Sequence, residues 1–245
     1  MGMAERSAEE NILMVKEKLA ASERVAILTG AGISAESGVP TFRGKDGLWR
    51  QYRATDLATP EAFARDSRLV WELYNWRREL LAPLRPNAAH HALVDMERRI
   101  PHFTLITQNI DGLHQLAGSR NILELHGNIW WVRCTKCGTV SEDLRVPLPQ
   151  SPACDSCGAP LRPNVVWFGE SLDPRILDEA YAAVQSCQVM LIIGTSALVQ
   201  PAASMGVMAR RQGAFVAEIN LDPTPYSGAY HLSILGKAGD VVPRL

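Results

Sequence analysis

The sequence predicts an α/β fold, a Rossmann-like doubly wound parallel sheet that carries a small inserted domain. Three observations predict it. Short Val- and Ile-rich runs alternate with segments of helical spacing, small or polar residues follow each run, and two Cys-x-x-Cys pairs share one proline-rich stretch that interrupts the alternation. The chain has 245 residues, 47% hydrophobic and 21% charged, the balance of an ordinary globular protein with one large domain and room for a small one.

The predicted strands are Val25 to Leu28, Phe103 to Ile106, Ile122 to Leu125, Val189 to Ile193 and Phe215 to Ile219. Their continuous apolar character suits strands covered on both faces. Helical spacing runs from Asn11 to Ala21, His90 to Arg99, Pro174 to Ser186 and Pro201 to Arg211, one segment before four of the five runs. Residues 36–85 hold no convincing strand and read as a loop followed by helices. Residues 129–164 contain both cysteine pairs and five prolines. These two stretches are read as insertions that together form the small domain: 36–85 a cofactor loop and helical segment, 129–164 a zinc ribbon. Residues 1–35, 86–128 and 165–245 then make up the large domain.

Ligands of doubly wound sheets bind beyond the carboxyl ends of strands, so the residues after each run carry the functional reading. Gly30-Ala31-Gly32-Ile33-Ser34-Ala35 fits the pattern in which glycines let the backbone approach a pyrophosphate, and equally a plain tight turn. A dehydrogenase would continue with a second strand ending in an acid; GVPTFRGKDGLWRQYRATD cannot supply it. Thr107-Gln108-Asn109-Ile110-Asp111 offers partners for ribose hydroxyls and a carboxamide, or else Asp111 caps a helix. His126, followed by Gly127, is either a structural histidine or a general base. Gly194-Thr195-Ser196 and Asn220-Leu221-Asp222 end the last two runs. The coincidence of five such ends points to a nucleotide more strongly than any one of them.

Cys134-x-x-Cys137, sixteen residues and Cys154-x-x-Cys157 form a zinc-ribbon pattern, with Gly138 and Gly158 after the pairs to allow tight turns. Four sulfur ligands leave no open position, so one structural zinc is expected. Cys187 stands alone and reads as a core thiol. The net charge of −1 gives no general attraction to nucleic acid or anionic membrane. The segment MGMAERSAEENIL lacks a signal-peptide core, and no apolar run approaches the ~20 residues of a membrane span, so a cytoplasmic location is expected.

Together these pieces resemble the sirtuin family over nearly the whole chain: GAGIS at 30–34, GVPTFR at 38–43, TQNID at 107–111, HG at 126–127, VVWFGE at 165–170, GTS at 194–196 and IN at 219–220, with the cysteines between HG and VVWFGE. The resemblance implies an NAD-dependent lysine deacylase acting on acylated protein side chains, in a cleft between the two domains. The acyl oxygen attacks the nicotinamide ribose and nicotinamide leaves. A ribose hydroxyl deprotonated by His126 then attacks the alkylimidate, and water completes the route to lysine and O-acyl-ADP-ribose. By the same resemblance His126 and Asn109 are catalytic. Gly30, Ala31, Gly32, Ile33, Ala35, Thr41, Phe42 and Arg43 line the phosphate and ribose path. Gln108, Asn109, Ile110 and Asp111 hold the nicotinamide half. Gly194, Thr195, Ser196, Asn220, Leu221, Asp222, Lys237 and Ala238 hold the adenosine half. Val166, Phe168, Gly169 and Glu170 belong to a segment that pairs with the substrate peptide, opposite Val199 and Gln200.

Tyr74 and Arg77 are three apart and share a helix face. They resemble the Tyr-x-x-Arg signature of sirtuins that remove succinyl, malonyl or glutaryl groups; the plainer reading places Arg77 in a solvated charge run with Arg78 and Glu79. Two other functions compete. Mono-ADP-ribosyl transfer would break the same cofactor bond. A nucleic-acid-binding zinc ribbon is disfavoured by the mild surplus of Arg133, Lys136, Arg145 and Arg162 over Glu142, Asp143 and Asp155 in 129–164.

Overall fold

The computed structural model describes residues 7–40 and 54–245. In chain order its main elements are α1 (Ala8–Ala20), β1 (Arg24–Thr29), α2 (Ala54–Leu57), α3 (Pro60–Arg65), α4 (Ser67–Leu81), α5 (Ala88–Arg99), β2 (His102–Thr107) and α6 (Leu113–Ala117). There follow β3 (Ile122–Glu124), β4 (Gly127–Cys134), β5 (Val140–Glu142), β6 (Leu161–Val165), α7 (Pro174–Ser186), β7 (Val189–Ile193), α8 (Ala202–Arg211), β8 (Phe215–Asn220), β9 (Leu232–Leu235) and α9 (Ala238–Val241).

Among the described residues, six strands form a parallel sheet in the order β3-β2-β1-β7-β8-β9. All five expected runs are strands of this sheet. β1 shows why they read as continuous apolar runs. Val25 and Ile27 face the core under α1 and α5, with Val15, Leu19 and Leu93. Ala26 and Leu28 face the opposite core under α7 and α8, with Val184 and Met205. The sixth strand, β9, was not anticipated: LSIL is four residues long, interrupted by Ser233, and lies at the sheet edge beside β8. Local chemistry fixes the helix starts. Ser7 and Glu10 form a reciprocal capping box on α1, and Asp173 caps α7 ahead of Pro174. No helix among the described residues is long and apolar enough to cross a membrane.

A second, antiparallel sheet has the order β5-β4-β6 and shares a third core with α3 and α4. Helix α4 buries Val70, Trp71, Tyr74, Arg78 and Leu81 on one stripe, the spacing of a helix against a packed surface. Polar side chains on that stripe stitch it to the small sheet at three levels. The Trp71 indole donates to the Leu161 carbonyl at 3.0 Å. The Asn75 amide donates to the Leu148 carbonyl and accepts from the Leu148 N–H, both at 2.9 Å. Arg78 donates to the carbonyls of Ile129, Asp143 and Arg145, with its guanidinium over the Trp130 ring at 4.9 Å.

Arg78 therefore does not belong to a solvated charge run. It is fully buried, and burial pulls its pKa down to about 10, still high enough to keep the cation at neutral pH. Replacing it with Met strands three carbonyls without their donor. The Arg78→Met variant is expected to lose about 2–4 kcal/mol of stability. At roughly 2–4 °C per kcal/mol for a chain of this size, calorimetry should show the lower melting temperature; an unchanged value would mean those carbonyls are served equally well by water.

Candidate active site

From β1 the chain proceeds outward to β2 and β3, then returns to β7 on the other side of β1 and proceeds outward to β8 and β9. The reversal leaves a crevice at the carboxyl ends of β1 and β7, where Thr29 lies beside Ile193. The turns beyond these strands touch backbone to backbone. Gly30 N–H donates to the Ile193 carbonyl at 3.0 Å, Gly32 N–H to the Gly194 carbonyl at 2.7 Å, and Gly194 N–H to the Ile219 carbonyl at 2.9 Å. A Cβ on Gly32 would lie 2.6 Å from Gly194 Cα, and one on Gly194 would lie 2.4 Å from the Ile33 nitrogen. Gly194 also takes φ +61°, which glycine adopts freely. The first demand on these glycines comes from the protein's own backbone, a reason the sequence pattern alone did not give.

Ile33 buries its side chain in the core, so only its backbone could meet a ligand; Ala31 and Ala35 are half-buried. Behind the turns, polar side chains tie the strand ends together. Gln108 Nε2 donates to Thr195 Oγ1 at 2.9 Å, and Asn220 Nδ2 donates to the Thr195 carbonyl at 2.8 Å. Asn109 Nδ2 donates to the Gly30 carbonyl at 3.1 Å and to Ser34 Oγ at 3.2 Å. Asp111 accepts from Ser34 Oγ at 2.8 Å and from the Leu113 N–H at 2.9 Å. Asp111 thus satisfies a helix amide while also bonding across to the turn after β1. Burial raises its pKa, against the lowering effect of those two bonds and of Arg77. Two buried histidines lie deeper: His90 contacts Asn87 at 3.1 Å and His114 contacts Thr29 at 3.0 Å, with rings 4.8 Å apart. Burial depresses both, His90 to about 4, so this pair is neutral at physiological pH.

His126 sits between β3 and β4, half-buried, with its ring against the backbone just after β2. Its Nδ1 lies 2.9 Å from the Gln108 carbonyl, which can only accept, so Nδ1 carries the proton and Nε2 is the basic nitrogen. Burial lowers its pKa below 6.5, partly offset by that bond, leaving the neutral base at pH 7. Gly127 takes φ +75°, and a Cβ there would lie 2.2 Å from the Asn164 carbonyl oxygen. Its close approach is to β6, which fixes the angle at which β4 leaves the histidine.

The other expected positions scatter around this centre. Ser196 is exposed beyond β7; Leu221 and Asp222 are exposed beyond β8. Lys237 is exposed and caps α9, while Ala238 is buried. Val166 is half-buried and donates its N–H to the His126 carbonyl at 2.9 Å; Phe168, Gly169 and Val199 are exposed. The Glu170 carboxylate grips Arg162 through both oxygens, at 2.6 and 2.8 Å, so its side chain is occupied within the protein. Tyr74 is buried, Arg77 is half-buried beside it, and burial lowers the Arg77 pKa against the raising influence of Tyr74 and Asp111. Thr41, Phe42 and Arg43 lie outside the described residues.

The four paired cysteines converge, with all four sulfurs within 4.8 Å of one another. Cys134 and Cys157 sulfurs are 3.5 Å apart, and Cys137 and Cys154 sulfurs 3.7 Å apart. A tetrahedron with ~2.3 Å zinc–sulfur bonds has edges of about 3.8 Å, so the donor set fits one zinc ion. The two pairs sit on matching turns. Cys134 N–H donates to the Thr139 carbonyl and Cys154 N–H to the Ala159 carbonyl, with Gly138 and Gly158 at φ +73° and +70°. Cys187 is buried away from them, and burial pushes its thiol up to about 11, as suits a core residue.

Residues 30–201 match the Sir2 family. The chain belongs to that family. An NAD-dependent protein deacylase of Aquifex aeolicus is 54% identical over 202 residues, covering 82% of this chain and 84% of the relative. NAD-dependent protein deacylase 1 of Archaeoglobus fulgidus is 50% identical over 228 residues, 93% of each chain. Among solved structures, a complex of a Sir2 homologue with NAD superposes with a TM-score of 0.90 at 46% identity, covering 99% of this chain and 94% of that one. A Sir2–p53 peptide–NAD+ complex gives 0.82 at 31% identity over 94% and 95%.

Within this Sir2 fold, the sequence pattern did not single out Ser34, Trp167 or Arg162, the partner of Glu170. Ser34 stands inside GAGIS but its partners, Asn109 and Asp111, are more than seventy residues away. Trp167 stands inside VVWFGE, but its partner, the Tyr74 hydroxyl, lies ninety-three residues away. Zinc removal tests the small domain. The zinc-loaded protein should hold one ion per chain, and chelation should release it, free four reactive thiols and leave Cys187 slow to react. Thiol titration with metal analysis reads this; a stripped chain that keeps its melting temperature would count against a structural metal.

Proposed function

We propose that this chain is an NAD-dependent protein-lysine deacylase that removes acetyl groups and, more efficiently at low substrate, succinyl or malonyl groups. The observation that carries the first part is the placement of His126. Its tautomer is fixed by the Gln108 carbonyl, it is neutral at pH 7, and through that carbonyl it adjoins the end of β2 after which Asn109 and Asp111 are held. The relatives' names and the NAD and ADP-ribose complexes of similar structures support the cofactor.

The glycine turns at the β1/β7 crevice suit the pyrophosphate, because a side chain at Gly30, Gly32 or Gly194 has no room there. In this reading Gln108 and Asn109 hold the nicotinamide ribose, Asp111 the carboxamide, and Thr195 with Asn220 the adenosine half. Bound NAD supplies a labile nicotinamide–ribose bond and the ribose hydroxyl that finally receives the acyl group. His126 Nε2 takes the proton from that hydroxyl, and the Gln108 carbonyl stabilises the imidazolium that results. In this reading the segment Val166 to Glu170 pairs with an extended peptide, which reads main chain more than side chains. The acylated lysine of a protein is therefore the partner, and we read the protein as cytoplasmic.

Preference among acyl groups rests on Arg77. A hydrogen bond from a charged donor is worth ~1.5–3 kcal/mol when sheltered, about 10–100-fold in selectivity, but ~0–1 kcal/mol when exposed. Arg77 is half-buried and desolvated beside Tyr74, which favours the larger figure. On one peptide carrying acetyl-, malonyl- or succinyl-lysine, Arg77→Met should lower the succinyl-to-acetyl ratio of kcat/KM by about 10–100-fold. Equal efficiencies in the parent protein, or a ratio untouched by the substitution, would refute the acidic-acyl reading.

The base assignment predicts a pH profile. Because the His126 pKa lies below 6.5, the rate should be level near neutrality and fall only as pH drops beneath that value and the imidazole takes up a proton. His126→Ala should remove that limb together with at least ~10²-fold of kcat. Stopped assays of deacylated peptide formed across pH 5–8 (about the range histidine titrates) measure both.

A further inference from the structure

We infer that Trp167 is the positioning residue of the acyl pocket: its indole N–H fixes the Tyr74 hydroxyl as an acceptor and so aims the tyrosine's own proton at the acyl group. The inference rests on the acidic-acyl reading of Tyr74 and Arg77 and names the residue that makes that reading work.

Trp167 Nε1 lies 2.9 Å from Tyr74 Oη, and both side chains are buried, at 3% and 2% exposure. An indole nitrogen can only donate, whereas a phenol both donates and accepts. The sense of this bond is therefore unambiguous. Tyr74 accepts from Trp167, and its single proton is left for another acceptor. A phenol that accepts a hydrogen bond becomes a better donor through polarisation, most strongly in a dry surrounding. Burial also raises the Tyr74 pKa, so the hydroxyl keeps its proton at neutral pH. Tyr74 without this bond would have a freely turning hydroxyl, able to offer a substrate carboxylate either its proton or its repelling lone pairs.

The indole is itself held on several sides. The Arg162 guanidinium covers one face with its carbon 3.5 Å from the ring centroid, and the Phe63 ring lies 5.3 Å away. The backbone on either side is anchored. Val166 N–H donates to the His126 carbonyl, Phe168 N–H to the Ala58 carbonyl at 3.0 Å, and Trp167 N–H to the Glu170 carboxylate at 2.8 Å. Arg162 is also neutralised by Glu170 through two bonds, so its charge is matched locally. Tyr74 is thus oriented by a residue of the segment whose Val166 N–H is bonded to the His126 carbonyl, which joins the acyl pocket to the catalytic centre through one rigid ring.

The test is a double-substitution cycle read on the succinyl-to-acetyl ratio of kcat/KM, using the full zinc-loaded chain. Trp167→Phe should lower that ratio about 3–10-fold, the worth of one neutral hydrogen bond. In the Tyr74→Phe background, where the acceptor is gone, the same change should leave the ratio where Tyr74→Phe put it. Should Trp167→Phe fold poorly, 3-benzothienylalanine at position 167 keeps the bicyclic shape without the N–H and should give the same fall. An equal loss on both acyl groups, or additive effects in the cycle, would overturn the inference by reducing Trp167 to packing. If the ratio responds to Arg77→Met but not to either change at 167, the inference fails and the acidic-acyl reading stands. If the parent protein shows no acidic preference, that reading fails first.

Discussion

Everything in the site depends on two strand-end turns touching backbone to backbone. β1 and β7 run side by side, and the chain must leave their carboxyl ends in opposite directions. Gly30, Gly32 and Gly194 let the two turns interlock at distances no side chain would tolerate, and their amides satisfy the carbonyls of the neighbouring turns. Once that contact is made, Ser34 is placed where Asn109 and Asp111 can reach it, and Thr195 where Gln108 and Asn220 can. The polar ring around the crevice is a consequence of the interlock, because each member is hydrogen-bonded to an element that another turn has positioned. Gln108 extends the ring to His126 by offering its carbonyl to Nδ1.

The small domain brings a different constraint. It has few strands and a modest core, so metal binding and buried polar stitching take over work that hydrophobic burial does in the large sheet. Helix α4 is the element on which these meet. Its Trp71, Asn75 and Arg78 serve the small sheet, while Tyr74, on the same stripe, turns to Trp167 and stands beside Arg77. The orientation of Tyr74 is therefore tied to the packing of the small sheet, one helical turn away.

The large sheet was legible because its central strands are buried on both faces, which leaves unbroken apolar runs; β9 was not, because Ser233 breaks its four-residue run. The metal site was legible because ligand spacing is local. Arg78 was misleading for the opposite reason. In sequence it adjoins Arg77 and Glu79, and only the docking of α4 reveals that its partners are three carbonyls from 129–145. Trp167 was passed over on a similar ground, since its partner lies ninety-three residues away.

What the sequence determined by itself was therefore periodicity, ligand spacing and the chemistry available at each strand end, for these are set within a few residues of one another. Tertiary structure alone decided which of those groups meet. It spent the glycines on a turn-to-turn contact, chose the tautomer of His126, buried Arg78, and turned Tyr74 toward Trp167. The physical reason is that hydrogen bonds and desolvation act between surfaces brought together by the fold, across separations that no local pattern encodes.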